Sequence, residues 1–175
     1  MKSLLKGNVK YNLTDNQLIV KRTDGVYMIF TNRDNSFFQS LLSSLKNATP
    51  NPELNIEYLN PTIELPLDLF HRILRSNEVV YEQLVGLRET NEGLYCFSNM
   101  TKNFQLNHHE YSTNNEVFID PQLVCKITRK IRDRERVQAK LLLEKTRITL
   151  SCEFPWVSLV IIIPTVQAKG GWNVE

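Results

Sequence analysis

The stretch VQAKLLLEKTRITLSCEFPWVSLVIII, residues 137–163, reads as three consecutive β-strands, and that reading sets the fold class. Val137, Ala139, Leu141 and Leu143 alternate with their neighbours, and Ile148, Leu150, Cys152 and Phe154 do so again. Successive side chains on a strand point to opposite faces, so a period of two marks a strand with one face on a core. The tetrad EKTR turns the chain between the first two strands, and Phe154-Pro155-Trp156 breaks the second. The third piece, 157–163, is apolar almost throughout, which predicts burial on both of its faces.

Just upstream, KITRKIRDRERVQAK (126–140) concentrates the charge. Nine basic and three acidic residues between Lys126 and Arg147 give a local +6, so a chain of net charge +2 carries −4 elsewhere. Asp120-Pro121 has the form of an N-cap followed by proline at the first helical position. As a helix from Asp120, Val124, Ile127 and Ile131 make an apolar line, with Arg129, Lys130, Arg132 and Arg136 around the other side. As a hairpin turning at Asp133-Arg134, Lys126, Lys130, Arg132, Arg134, Arg136 and Lys140 share one face. The Asp-Pro start and the density of charge favour the helix, with the division near Val137.

Towards the N-terminus, residues 9–13, 17–22 and 26–31 are β-rich pieces, the last two separated by Thr23-Asp24-Gly25, a hairpin signal. Asn35 or Ser36 is placed to cap a helix whose stripe includes Phe37, Leu41 and Leu45. The prolines of ATPNPE end it. Leu54, Ile56 and Tyr58 alternate as in a strand over 53–59, and residues 66–75 predict a helix with Leu67, Phe70 and Leu74 inward. Residues 78–88, 94–98 and 104–111 are further strand candidates, with TNEG as a turn. No internal repeat is visible. Strands and helices are segregated, which predicts an α+β fold: largely antiparallel sheet, two or three helices and a C-terminal three-stranded meander. The expected organisation is one globular domain over 1–175, with a possible subdivision near 48–62.

Several functional classes are not called for. Three cysteines, Cys96, Cys125 and Cys152, have no disulfide-scaffold or zinc spacing. The start lacks a signal-peptide run and the longest apolar run is too short to cross a bilayer. The expected location is therefore cytoplasmic or nuclear. His108-His109-Glu110 would send its two histidines to opposite faces of a strand, and His71 sits among apolar helical residues, so no metal site is expected. No nucleophile motif or phosphate-cradling glycine loop is present, so no catalytic residue and no cofactor is assigned. Cys125 has cationic neighbours that could lower its pKa, though a structural cysteine is the simpler reading. Trp172, after Gly170-Gly171, is a candidate protein-interaction anchor.

The segments RITLSCEF and LVIII, followed by Lys169, Gly171 and Trp172, resemble the carboxyl-terminal part of matrix proteins of rhabdovirus-type viruses. That resemblance implies a structural protein bridging membrane and nucleoprotein, found in the virion. With the basic stretch it forms the leading expectation: a non-enzymatic, self-associating protein docking on an anionic partner (RNA, nucleoprotein or acidic lipid) through Lys126, Arg129, Lys130, Arg132, Arg134 and Arg136. Guanidinium forks bind phosphate bidentately. The stretch between Leu123 and Glu153 holds no aromatic for base stacking, which disfavours sequence-specific single-strand reading. One alternative is a small metal-dependent nuclease or nucleic-acid-modifying enzyme using Asp120, Glu116 and Glu153. A second is an adaptor or immunity-type protein with one protein partner.

Overall fold

The computed structural model describes residues 1–78, 84–98, 104–108 and 114–167. A short 3-10 turn, Lys2–Leu5, precedes a meander of β1 (Lys10–Leu13), β2 (Gln17–Lys21) and β3 (Tyr27–Asn32). Helix α1 (Asn35–Leu42) follows, capped by Asp34 rather than by Asn35 or Ser36. The Asp34 carboxylate accepts from the Phe37 amide at 3.1 Å, and the helix buries Phe38 and Leu41. A two-residue strand, β4 (Thr49–Pro50), pairs parallel with β1.

The remainder repeats one order of elements. β5 (Ile63–Pro66), α2 (Leu67–Glu78), β6 (Val85–Thr90), β7 (Gly93–Phe97) and β8 (Phe104–Asn107) form the first unit. β9 (Glu116–Ile119), α3 (Pro121–Thr128), β10 (Gln138–Leu143), β11 (Arg147–Glu153) and β12 (Val157–Pro164) form the second. Each unit lends its first strand to the other: β5 pairs antiparallel with β10, and β9 with β6. The two units share no visible sequence pattern, so the repeat shows only in the pairing.

Among the described residues this gives an eight-stranded sheet, β4-β1-β2-β3-β12-β11-β10-β5, and a four-stranded one, β8-β7-β6-β9. The fold is α+β and antiparallel-rich, and its last three strands are adjacent, as the C-terminal pattern predicts. On one face of the large sheet Met28, Phe30, Leu150, Leu159, Ile161 and Ile163 join a core with all three helices and with the small sheet. On the other face Ile19, Ile29, Val160 and Ile162 are covered by Leu54, Ile56 and Tyr58.

That cover corrects the strand expected over 53–59. The alternation there is real, but it arises because an extended segment lies flat across a sheet rather than inside one. Asparagines replace the missing ladder. Asn12 donates to the Leu54 carbonyl at 2.9 Å, and Asn51 Oδ1 accepts from the Glu53 amide at 3.2 Å. Two further boundaries shift. Glu78 belongs to α2 rather than to the strand that begins at Val85, and α3 ends at Thr128 instead of running to Arg136. The expected cap is present: Asp120 Oδ1 accepts from the Gln122 amide at 2.9 Å, with Pro121 in the first turn.

The β6–β7 turn predicts a measurable asymmetry between two glycines. Gly93 has φ +145°, and a Cβ there would sit 2.0 Å from the Asn107 carbonyl oxygen; Gly7 has φ +107° with open space around it. Gly7→Ala should cost about 1–3 kcal/mol of backbone strain, while Gly93→Ala must also part β7 from β8. Urea unfolding of both variants checks this, and an equal loss for the two would contradict the register.

Candidate functional site

Helices α2 and α3, one from each repeated unit, pack side by side over the core. Leu67, Phe70 and Leu74 of α2 and Val124 and Ile127 of α3 are the buried face of the pair. A small polar seam joins them. Thr128 Oγ1 lies 3.0 Å from the Val124 carbonyl and 2.7 Å from His71 Nδ1, so its hydroxyl links the two helices. Burial first, then the nearby Arg134, holds the His71 pKa below the ordinary value. Cys125 is fully buried at the same seam, 3.8 Å from His71 Nδ1, as a structural cysteine should be. Burial pushes the thiols of Cys96 and Cys152 up to about 12.

The outer surface of the pair is basic. Arg72 and Arg75 are exposed on α2, and Lys126 and Arg129 on α3. Lys130 and Arg132 continue past the helix end, and the N-terminal segment adds Lys2 and Lys6. The ammonium of Lys130 records their convergence. Its pKa is lowered first by burial, then by Arg22, Lys126 and Lys6, with Asp24 partly offsetting them. Among the described residues Lys2, Lys6, Lys126, Lys130 and Arg132 have no carboxylate within ion-pair distance. Lys2, Lys6, Arg22 and Arg75 escaped the sequence reading because they lie far from the basic stretch. The four-residue spacing of Lys2 and Lys6, and the arginines opposite the apolar stripe of α2, were the available signals.

The predicted patch divides. Lys126, Arg129, Lys130 and Arg132 lie together near the end of α3, whereas Arg136 is exposed on the 3-10 turn Arg134–Arg136. Arg134 is structural. Its Nη1 donates to the Arg129 carbonyl at 2.9 Å and to those of Ile131 and Thr128 at 3.3 and 3.4 Å, closing the end of α3. Its Nε lies 3.6 Å from Asp68, which also pairs with Arg72 at 3.0 Å. Trp172, His109 and Glu110 lie outside the described residues; His108 is exposed.

The three candidate carboxylates serve separate partners. Asp120 caps α3, Glu116 pairs with Arg88 at 2.6 Å, and Glu153 pairs with Arg33 at 3.1 Å and accepts from Ser158 at 2.7 Å. Among the described residues no three histidine, cysteine or acidic side chains gather as a metal site would require.

No family model and no curated protein matches this chain. Solved structures do. The chain aligns with A. fulgidus PCNA, in a structure with the C-terminal region of FEN-1 bound, at TM-score 0.50 and 14% identity over 91% of this chain and 64% of that one. It aligns with PCNA from Thermococcus kodakaraensis at TM-score 0.50 and 11% identity, over 87% and 67% respectively. At these identities what is shared is the fold, and this chain spans about two thirds of the length of those neighbours.

The fold overturns the matrix-type expectation, and with it the virion placement and the RNA or lipid partner. RITLSCEF and LVIII are β11 and β12, inner strands of a large sheet, whose apolar pattern any such sheet would show. The nuclease gives way to the same finding. No helix among the described residues is long and apolar enough to cross a membrane.

The seam histidine generates a pH prediction. Arg134, Arg129 and Arg75 face His71 and oppose its protonation, while Asp68 favours it less strongly than burial and Arg134 oppose it. The folded-state pKa therefore lies below that of the unfolded chain, so the unfolded chain takes up the proton first as the pH falls below about 6.5. Stability is full above that value and declines as the pH drops towards the lowered folded-state pKa. Urea unfolding across this window should show the decline, and His71→Gln should flatten it; an equally steep limb in the variant excludes His71 as its source.

Proposed function

We propose that this chain is a DNA-clamp-type protein: a non-enzymatic scaffold that lays its α2/α3 face against the phosphates of duplex DNA and works as a self-associated assembly. The observation that carries this reading is the gathering of Lys2, Lys130 and Arg132 around one cleft, with Lys6 and Lys126 close enough to act on Lys130, at the end of a helix pair packed on the two-sheet core. The likeness of the fold to PCNA structures supports it. The reading keeps the cytoplasmic or nuclear placement.

Duplex DNA carries one negative charge per about 1.7 Å of axis, so a cluster of lysines and arginines gains affinity by releasing counterions. The α2/α3 surface offers lysines and arginines rather than a projecting reading element, so the contact expected is with phosphates, independent of sequence. Self-association would use strands at or near the ends of the two sheets. β8 ends the small sheet and shows Phe104, 45% exposed; β1, flanked over two residues by β4, shows Leu13, 46% exposed. Unlike edges that join head to tail close into a ring when the rotation permits. On the face away from the helices, Leu59 is 64% exposed beside Tyr58 and Arg147, a place for a partner's peptide such as the one bound to A. fulgidus PCNA.

Fluorescence anisotropy with a labelled blunt duplex across salt tests the DNA contact. Lys6→Glu with Lys126→Glu should weaken binding and lower the slope of log affinity against log salt by about 0.9 for each phosphate no longer neutralised. Unchanged affinity and slope would refute the reading. Light scattering tests the assembly. Phe104 is already exposed, so Phe104→Glu should leave the fold intact and reduce the mass towards that of one chain. A mass that does not respond removes β8 from the interface.

A further inference from the structure

A cleft of about 640 Å³ opens where the end of α3 meets the N-terminal turn, the first turn of α1 and the β11–β12 turn. One side carries Lys2, Arg129, Lys130 and Arg132, with Asp133 the one carboxylate among its lining residues. Lys130 Nζ donates to the Ser3 carbonyl at 3.4 Å and, like Lys2 and Arg132, has no carboxylate partner among the described residues. Like charges held together in a recess repel one another, and a bound anion relieves that repulsion.

The other side is aromatic. Phe37 and Trp156 both line the cleft with ring centroids 6.1 Å apart, and Trp156 is stacked on Phe154 at 5.6 Å and an interplanar angle of 21°. Backed in this way, the indole is a fixed platform. A cleft that held an anion alone would gain nothing from it, whereas a nucleobase lies well on an aromatic face beside a cation.

Two backbone features make the position suitable. The C-terminal end of a helix normally repels anions. Here Arg134 already occupies the carbonyls of Thr128, Arg129 and Ile131, so the negative end of α3 is neutralised. Asp133 adopts the left-handed conformation, φ 56° and ψ 34°, which aspartate tolerates. That residue reverses the chain so that Arg132 lines the cleft while Arg134 turns back onto the helix.

We infer that this cleft, which adjoins the basic face and shares Lys130 with it, is a site for a nucleoside phosphate whose base is unstacked: the unpaired terminal nucleotide of a DNA strand, its phosphate held by Arg132, Lys130 and Lys2 and its base against Trp156. A fully paired duplex keeps its bases stacked and cannot enter without extruding one. The volume is in the range of sites for small ligands. In naming DNA the inference rests on the reading of the α2/α3 face, and a free nucleotide is the other source of the same chemistry.

The chain has two tryptophans, so Trp172→Phe leaves Trp156 as the one indole reporter. The full chain in that background is titrated with dAMP, with a DNA hairpin bearing a short single-stranded overhang, and with the blunt hairpin. Saturable quenching by the overhang but not the blunt end is the result expected. Arg132→Ala, at an exposed position, should weaken overhang binding roughly tenfold, as for losing one hydrogen bond to a charged phosphate, and leave the thermal melt unchanged. Equal quenching by dAMP and the overhang supports the nucleoside-phosphate site and assigns it to the free nucleotide. No quenching by either overturns the inference, as does quenching that survives both Arg132→Ala and Lys2→Ala, or quenching by an acidic peptide in their place. Anisotropy with the blunt hairpin separates the two readings. If it still binds, the cleft alone has failed; if it does not, the duplex contact has failed too.

Discussion

Burial of β12 on both faces is the constraint from which the rest of the architecture follows. Leu159, Ile161 and Ile163 enter the main core, while Val160 and Ile162 require a second cover on the opposite side. A strand in that position cannot sit at an edge. β12 is paired with β11 on one side and β3 on the other, so the N-terminal meander and the second repeated unit become one sheet. The same demand draws the 51–60 segment across the outer face, because each apolar side chain left in water there would cost about 1.5–3 kcal/mol.

The exchange of first strands is the second step. With β5 given to the large sheet and β9 to the small one, neither unit can close its core without the other. Their helices are then forced into contact, since each follows directly from a lent strand. The polar seam of His71 and Thr128 sits at this contact, and the Arg72–Asp68–Arg134 cluster ties α2 to the loop after α3. A rigid seam matters for the basic face. Cations on two helices that moved independently would spread apart, whereas here their mutual repulsion is held by packing beneath them.

Legibility followed the range of the interaction. The C-terminal meander, the Asp120-Pro121 cap and the buried stripe of α2 are set by neighbours within a turn or a strand, and each is readable as pattern. The repeat was not readable, because β5 and β10 correspond through pairing rather than through shared residues. The 51–60 segment misleads for a related reason: alternation reports which side chains face a surface and does not say whether the backbone belongs to a sheet. The basic face was half legible. Lys126, Arg129, Lys130 and Arg132 stood out as a run, but Lys2, Lys6 and Arg22 reach the same place only through the fold.

Arg132 and Arg134 show why charge density along a chain is a poor measure of a binding surface. They are two residues apart and chemically identical, yet one lines an open cleft and the other closes a helix end. The difference lies in the left-handed Asp133 between them and in Asp68, which neutralises Arg134 from another element. What matters for an anion is the set of cations left without a partner once the internal pairs are formed. Among the described residues Arg22, Arg33, Arg72, Arg88, Arg134 and Arg147 are engaged by carboxylates. Among the described residues Lys2, Lys6, Lys126, Lys130 and Arg132 have no such partner, and they come from segments more than a hundred residues apart in sequence to stand around the end of one helix.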